Sequence, residues 1–249
     1  MNALLIALVL LATPVHAADL HSGYADESKA IQAMQDDDDA NPAQLWVLQG
    51  EQAWDDAPAP GVKSCMECHG KIASMKGVAA RYPVWDAARN RAITLPDRVN
   101  LCRTEKQGLP ALGRERETML GLTAAIGKQS LGLPISVATS GPLAEIGAQG
   151  QAVFFQRQGQ LDLSCADCHN DLAGRSLGGA TIPQGHPNGY PLYRLEWQQL
   201  GSLQRRIRNC LTGMRADTYR DDSPEMQALE VYLAQRANGL KIETPAVRP

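Results

Sequence analysis

Aromatic residues are scarce in this chain of 249 residues: two Phe, six Tyr and four Trp, or 5% of the total. A protein of 26.9 kDa has little flat apolar mass of its own with which to fill a core. An excess of basic charge is also missing. Lys plus Arg number 24 against 27 Asp plus Glu, a net charge of -3, which excludes a general nucleic-acid binder. Six cysteines are too few for a disulfide-dense secreted scaffold. Past the N-terminal segment, no run approaches the roughly 18 uncharged apolar residues that a membrane span needs. What is present is a hydrophobic fraction of 44%, which rules out wholesale disorder and suits one or two domains.

The segment from Met1 to Ala17 predicts a secretory signal peptide. Ala3 to Leu11 is an unbroken apolar run, and Val15-His16-Ala17 forms an A-x-A-like cleavage site, although Met1-Asn2 supplies no basic charge. Export would place the mature chain, free of any membrane span, in the periplasm. In that oxidising compartment a free thiol needs a reason to stay free.

Four of the six cysteines occur in two copies of C-x-x-C-H: Cys65-Met66-Glu67-Cys68-His69 and Cys165-Ala166-Asp167-Cys168-His169. This pattern attaches c-type haem. Two thioethers form to the porphyrin, and the adjacent His becomes an axial iron ligand. A zinc site or a redox dithiol would leave the His after each second Cys unexplained. Two covalently bound c-type haems are therefore expected, on Cys65 and Cys68 with His69 as ligand, and on Cys165 and Cys168 with His169.

The motifs sit inside a longer repeat. Gly50 precedes Cys65 by the same interval as Gly150 precedes Cys165, and Ser64 and Ser164 stand immediately before the motifs. Downstream, Tyr82-Pro83 leads to a further cysteine, Cys102, by the same interval as Tyr190-Pro191 leads to Cys210. Arg98 and Arg206 hold matching places just before those cysteines. The one change of length falls between motif and Tyr, where the stretch from Cys165 to Tyr190 is longer than that from Cys65 to Tyr82. The predicted fold is mostly α, with two tandem cytochrome c-like haem domains related by internal duplication. The first is expected over residues 18–135 and the second over 136–249, with Ser130 to Pro142 as linker. Asn41-Pro42 and Gly141-Pro142 read as helix starts. Each leads to a glycine that permits close crossing by another helix. A C-terminal helix from Ser223-Pro224, carrying Met226, Leu229, Tyr232, Leu233 and Ala237 and ended by Gly239, could bring Tyr232 onto the Gly150 helix.

Cys102 and Cys210 remain. They could pair in a disulfide, or each could be the thiolate ligand of its own domain's haem, and the duplicated spacing favours ligation. Leu192, Leu195, Leu200, Leu203, Ile207 and Cys210 recur mostly at helical spacing, which puts Cys210 on an inward stripe, with Gly213 as a stop. In the first copy Pro96 is expected to shorten any helix around Cys102. Other ligands are few: His21 and His186 for a bis-His site, Met119 and Met214 for His/Met. A thiolate lowers the iron potential, which suits sulfur chemistry better than simple electron shuttling.

Between Arg194 and Arg220 lie six arginines against Glu196 and Asp217, a local charge of +4 around Cys210. At least one of Arg206, Arg208 and Arg215 is expected to meet an anion, Arg206 first because it lies one helical turn before Cys210. Asp36 to Asp39 lacks a calcium-loop pattern and reads as an exposed acidic lead.

The second motif through Asn170, the stretch Gly185-His186-Pro187-Asn188-Gly189-Tyr190-Pro191-Leu192-Tyr193-Arg194 and the run from Arg206 to Ala216 together resemble the SoxA family, catalytic cytochrome subunits of SoxAX complexes in bacterial thiosulfate oxidation. The tail from Glu243 to Pro249 is similar too. The resemblance implies L-cysteine S-thiosulfotransferase activity, in which thiosulfate is joined oxidatively to a cysteine of a SoxYZ carrier protein. It implies Cys210 as active-site ligand, found as thiolate or persulfide, and Arg206 as the basic residue beside it. It also implies a heterodimer with a small monohaem SoxX-type cytochrome and an electron-accepting cytochrome beyond that. The competing readings are a non-enzymatic periplasmic dihaem electron-transfer cytochrome with His/Met ligation, and a dihaem peroxidase, whose open iron position a Cys ligand would block.

Overall fold

The computed structural model describes residues 19–249; the expected signal peptide lies outside them. The duplication is visible element by element. After an N-terminal helix α1 (Lys29–Asp36), the first half runs α2 (Gln44–Asp55), α3 (Cys65–His69), the hairpin β1 (Val84–Asp86) and β2 (Arg91–Ile93), α4 (Leu95–Glu105) and α5 (Glu117–Lys128). The second half repeats this with α6 (Pro142–Phe155), a π-helical turn at Asp167–Asp171, two small hairpins β3–β4 (Ser176–Leu177, Ala180–Thr181) and β5–β6 (Leu192–Arg194, Gln199–Gly201), then α7 (Leu203–Gly213) and α8 (Pro224–Arg236). A last strand β7 (Ala246–Arg248) adds in parallel to β5.

Each half is organised by a crossed helix pair, α2 with α5 and α6 with α8. Gly50 meets Gly121 so closely that a Cβ there would fall 2.0 Å from the Gly121 carbonyl oxygen. Gly150 meets α8 in the same way, 2.0 Å from the Ala228 oxygen and 2.7 Å from Tyr232 Cβ. The expected approach of Tyr232 to the Gly150 helix is thus observed. Gly141 caps α6 with Pro142 in its first turn. At the other expected start, α2 begins only at Gln44, after Pro42, because the Asn41 side chain accepts the Ala43 N–H and holds a turn first.

Three expectations are corrected. Pro96 does not shorten α4, which has 11 residues, as does α7. Thr94 caps that helix, and Pro96 lies in its first turn, where a missing N–H costs no bond. The stretch from Leu192 to Leu200 is not helical but forms the β5–β6 hairpin, with Leu192 and Leu200 buried and Leu195 exposed. The segment from Ser130 to Pro142 is no free linker either. Ile135 and Val137 are buried, and Ile135 N–H donates to the Leu240 carbonyl.

The halves interlock reciprocally. Leu200 and Tyr193 of the second hairpin pack on Ala43, Val47 and Leu120 of α2 and α5. Ala92 and Trp85 of the first hairpin pack on Leu143, Ile146 and Val231 of α6 and α8. The N-terminal segment crosses to the second half as well. Asn41 Nδ2 donates to the Pro245 carbonyl at 2.9 Å, and Val247 N–H donates to Gln35 at 3.0 Å.

Between the halves, Glu230 on α8 is only 9% exposed and accepts from Gln204 Nε2 at 2.9 Å. Burial raises its carboxyl from 4.5 to about 7, only partly opposed by Arg114 and Gln204. The folded protein therefore keeps a proton that the unfolded chain has released, and stability falls as pH rises from about 4.5 to about 7. Glu230→Gln should melt higher than the parent at pH 8, by up to about 3 kcal/mol, with the difference gone at pH 4. Thermal melts at the two pH values check this.

Candidate haem centres and the Cys210 cleft

Each motif is wound into a helical turn by a reciprocal cap. Ser64 Oγ accepts from Glu67 N–H while Glu67 Oε2 accepts from Ser64 N–H, and Ser164 with Asp167 does the same. Winding the short sequence in this way brings its two thiols and its imidazole around one side of a turn. The first motif is tied to α2 by Trp54, whose Nε1–H donates to the Gly70 carbonyl at 2.9 Å.

All six cysteines are free, so the disulfide between Cys102 and Cys210 is not formed. Instead each lies beside its own half's motif. Burial raises the Cys65 thiol, with Cys102 and Cys68 adding to the rise. Burial lifts Cys165 to about 11, Cys210 again contributing, and raises Cys168 with the same neighbour. Helices α4 and α7 thus carry Cys102 and Cys210 to equivalent places. Met214 lines the same cleft as Cys210, whereas Met119 is buried in α5 and lines a separate cavity between the halves. His21 is engaged by Asp26, its Nε2 3.1 Å from the carboxylate. His186 borders the cleft close to His169, with its Nε2 on Gln184 at 3.0 Å. Burial holds His186 down at about 4.

The two centres differ in enclosure. His69 is exposed, its ring 5.7 Å from that of Trp54. His169 is sheltered by residues of the longer second copy. Its Nδ1–H donates to the Pro183 carbonyl at 2.8 Å, which leaves Nε2 free of that bond. Burial pushes this imidazole's pKa down and the Pro183 bond opposes it; Arg206 and Arg236 lower it further. Gly185, at φ +76, places its backbone against the ring so closely that a Cβ would sit 2.9 Å from His169 Cγ. Arg236 reaches over the Phe154 ring at 5.1 Å and donates to the His169 carbonyl at 3.3 Å. Pro183 and Arg236 did not emerge from the motif reading, and Gly185 appeared there only as part of a similar stretch. The extra length after the second motif was the available signal, since it supplies Pro183 and Gly185.

The cleft beside Cys210 holds about 1140 Å³ counting its open mouth. Phe154, Leu203, Ile207, Met214, Leu229 and Leu233 make it apolar, and Arg206 borders it. Arg206 has no ion-pair partner among the described residues. Three others are committed elsewhere, Arg208 to Asp221, Arg220 to Asp222 and Arg205 over the Trp197 ring at 4.2 Å, while Arg194 pairs with Glu196 and also borders the cleft. Arg215 is exposed past the end of α7. The motif's paired thiols and imidazole, an apolar lining and a further thiol in the same cleft are donors suited to c-type haem, so the residues fit that group. On fold and donors alone, the molecule is a c-type cytochrome of two tandem domains.

Comparison with known proteins narrows the class. The family described as "SoxA/TsdA, cytochrome c domain" matches residues 49–135 and 149–242. The L-cysteine S-thiosulfotransferase subunit SoxA of Rhodovulum sulfidophilum is 35% identical over 241 residues, covering 95% of this chain and 84% of that protein. Its counterpart in Pseudaminobacter salicylatoxidans is 37% identical over 229 residues, covering 91% and 80%. The crystal structure of SoxXA from P. pantotrophus superposes with a TM-score of 0.89 at 34% identity, covering 92% of this chain and 87% of that one. The chain belongs to the SoxA family. Its cytochrome c domains imply covalent c-type haem, and among the described residues no helix is long and apolar enough to cross a membrane.

Gly185→Ala should displace the His169 ring and force a left-handed backbone on a residue with Cβ, at a cost of about 1–2 kcal/mol from the backbone alone. The expected outcome is a weakened axial bond at the second centre, seen as a changed low-spin spectrum with the first centre's signal intact.

Proposed function

We propose that this chain is the catalytic subunit of a cysteine S-thiosulfotransferase, working at the centre bounded by His169 and Cys210. The observation that carries the reading is the placing of Cys210 and the unpaired Arg206 in one apolar cleft beside the second motif. Two c-type haems would be held, one by Cys65 and Cys68 with His69 and Cys102 as iron ligands, the other by Cys165 and Cys168 with His169 and Cys210. The domains divide as residues 18–135 and 136–249, and the signal peptide over 1–17 directs the protein to the periplasm. The crystal structure from P. pantotrophus is titled SoxXA, which supports a small monohaem SoxX-type partner here.

The reaction joins the outer sulfur of thiosulfate to the thiol sulfur of a cysteine on a SoxYZ-type carrier. One S–S bond forms, the thiol proton passes to water, and two electrons leave. A bound c-type haem would supply a one-electron acceptor, so the two electrons would leave singly, through the partner's haem to an acceptor cytochrome. Arg206 holds the sulfonate end, since a guanidinium fork matches paired oxygens and stays charged at every working pH. Cys210 presents a sulfur at which the sulfane atom can be received, as a thiolate nucleophile or as a persulfide. The apolar wall of Leu203, Ile207, Leu229 and Leu233 thins water around that sulfur, so the arginine charge acts in a medium of lower effective dielectric. His169, whose pKa burial lowers and whose ring Pro183 orients, would hold the haem through its other nitrogen.

Cys210→Ala should abolish carrier conjugation, while Cys102→Ala leaves most of it; equal loss from both would contradict this division of labour. Electron paramagnetic resonance of the oxidised complex should show low-spin thiolate signals from both centres, where His/Met signals would sink the reading. Intact-mass spectrometry should give two haems, plus one extra sulfur where Cys210 is a persulfide.

A further inference from the structure

Because the halves share one scaffold, equivalent positions can be compared directly. Tyr82 and Tyr190, Arg98 and Arg206, Cys102 and Cys210 are identical pairs. Position 86 against 194 is reversed in sign. Both residues end the first strand of their hairpin in the same register, Asp86 opposite Arg91 and Arg194 opposite Gln199. Asp86 accepts from Arg89 at 3.0 Å and lies 3.7 Å from Arg98, and Arg89 pairs with Glu105 too. Two acids therefore answer two arginines beside Cys102. At the matching places around Cys210 stand Arg194, Trp197, Arg206 and Gly213, a charge of +2 with no acid among them.

Arg194 borders the Cys210 cleft together with Arg206. Its side chain is 13% exposed and stacks over the Trp197 ring at 5.3 Å. One end of the fork donates to Glu196 at 3.0 Å, but that carboxylate is 65% exposed and largely shared with water. The Nε–H is buried with no acceptor. The cleft also takes in Arg248 and Glu27, which face each other at 3.9 Å while Arg248 pairs with Glu243 as well. That leaves Arg194 and Arg206 as like charges, one with a buried donor unmet, which are stable together when an anion enters between or beside them.

We propose that Arg194 joins Arg206 in a two-guanidinium oxyanion site, and that the exchange of Asp86 for Arg194 makes one duplicated centre take an anion while the other is neutralised. The ligand chemistry is a small oxyanion, the sulfonate end of thiosulfate under the function proposed above, on which this inference rests. A carboxylate of the haem periphery offers the same chemistry.

The test uses the haem-loaded heterodimer with Arg194→Gln, Arg194→Lys and Arg194→Asp, the last recreating the acid–arginine pair that this scaffold already accommodates at Asp86 and Arg98. Thiosulfate and sulfate are titrated against the spectrum of the second centre, and KM and kcat for conjugation are measured in parallel. Arg194→Gln should weaken both anions and raise KM about tenfold, Arg194→Asp more and Arg194→Lys less, with kcat, haem-to-protein ratio and midpoint potential near the parent values. Unchanged anion affinity overturns the proposal; if haem content or potential shifts alongside, the arginine serves the haem carboxylate instead. If the parent complex conjugates nothing, the proposed function fails, while the anion titration still reads the arginine pair.

Discussion

Backbone touches backbone where the paired helices cross, and the geometry of both centres depends on it. At Gly150 the closest atom to a built Cβ is the Ala228 carbonyl oxygen, and at Gly50 it is the Gly121 oxygen. Neither can turn aside as a side chain could, so a larger residue would have to push the helices apart. This crossing sets Phe154 of α6 beside Leu229 and Leu233 of α8, forming a wall of the Cys210 cleft. It also brings Arg236 over the Phe154 ring and onto the motif's own carbonyl. The small glycine thus determines how close the walls of the cleft stand to the motif.

The second constraint is reciprocal packing of the halves. Each hairpin leaves its own helix pair and buries an aromatic residue on the other half, Trp85 against Leu143 and Val231, Tyr193 against Val47 and Leu120. The first strands of the same hairpins end at Asp86 and Arg194, and the hairpins lead into the helices that carry Cys102 and Cys210. One structural element therefore joins the halves and sets the charge beside each thiol. The length added after the second motif acts on the opposite side, where it builds the Pro183–Gly185 support for His169 and leaves His69 without an equivalent.

Much of the architecture was legible because it was written twice. The glycine-to-motif spacing, the serines standing before each motif and the matched intervals from Tyr82 to Cys102 and from Tyr190 to Cys210 reappear as matching elements. Where local pattern stood alone it misled. The apolar steps from Leu192 to Leu200 fit a helix by count, yet β7 and the first half's helices offered them a pleated surface, and tertiary pairing prevailed. Pro96 looked like a breaker until Thr94 placed it in a first turn. The segment after α5 looked like a linker, but its Ile and Val had a groove to enter at Leu240 and Ile242.

By itself, the sequence determined the chemistry: which thiols and imidazoles could attach haem, that the unit was doubled, and that positive charge gathered near Cys210. Those properties are local, since they follow from residue type and spacing along a few turns of chain. Only the tertiary structure decided that Cys102 and Cys210 stay apart, that Arg208 and Arg220 are spent on nearby acids, and that Arg206 and Arg194 border the cleft. Charge and ligand availability depend on what lies across space, and a chain fold brings together residues its sequence keeps far apart. The scarcity of aromatic residues takes its meaning from the same fact. The apolar cleft beside the second motif has room for a large group that the amino-acid composition does not contain.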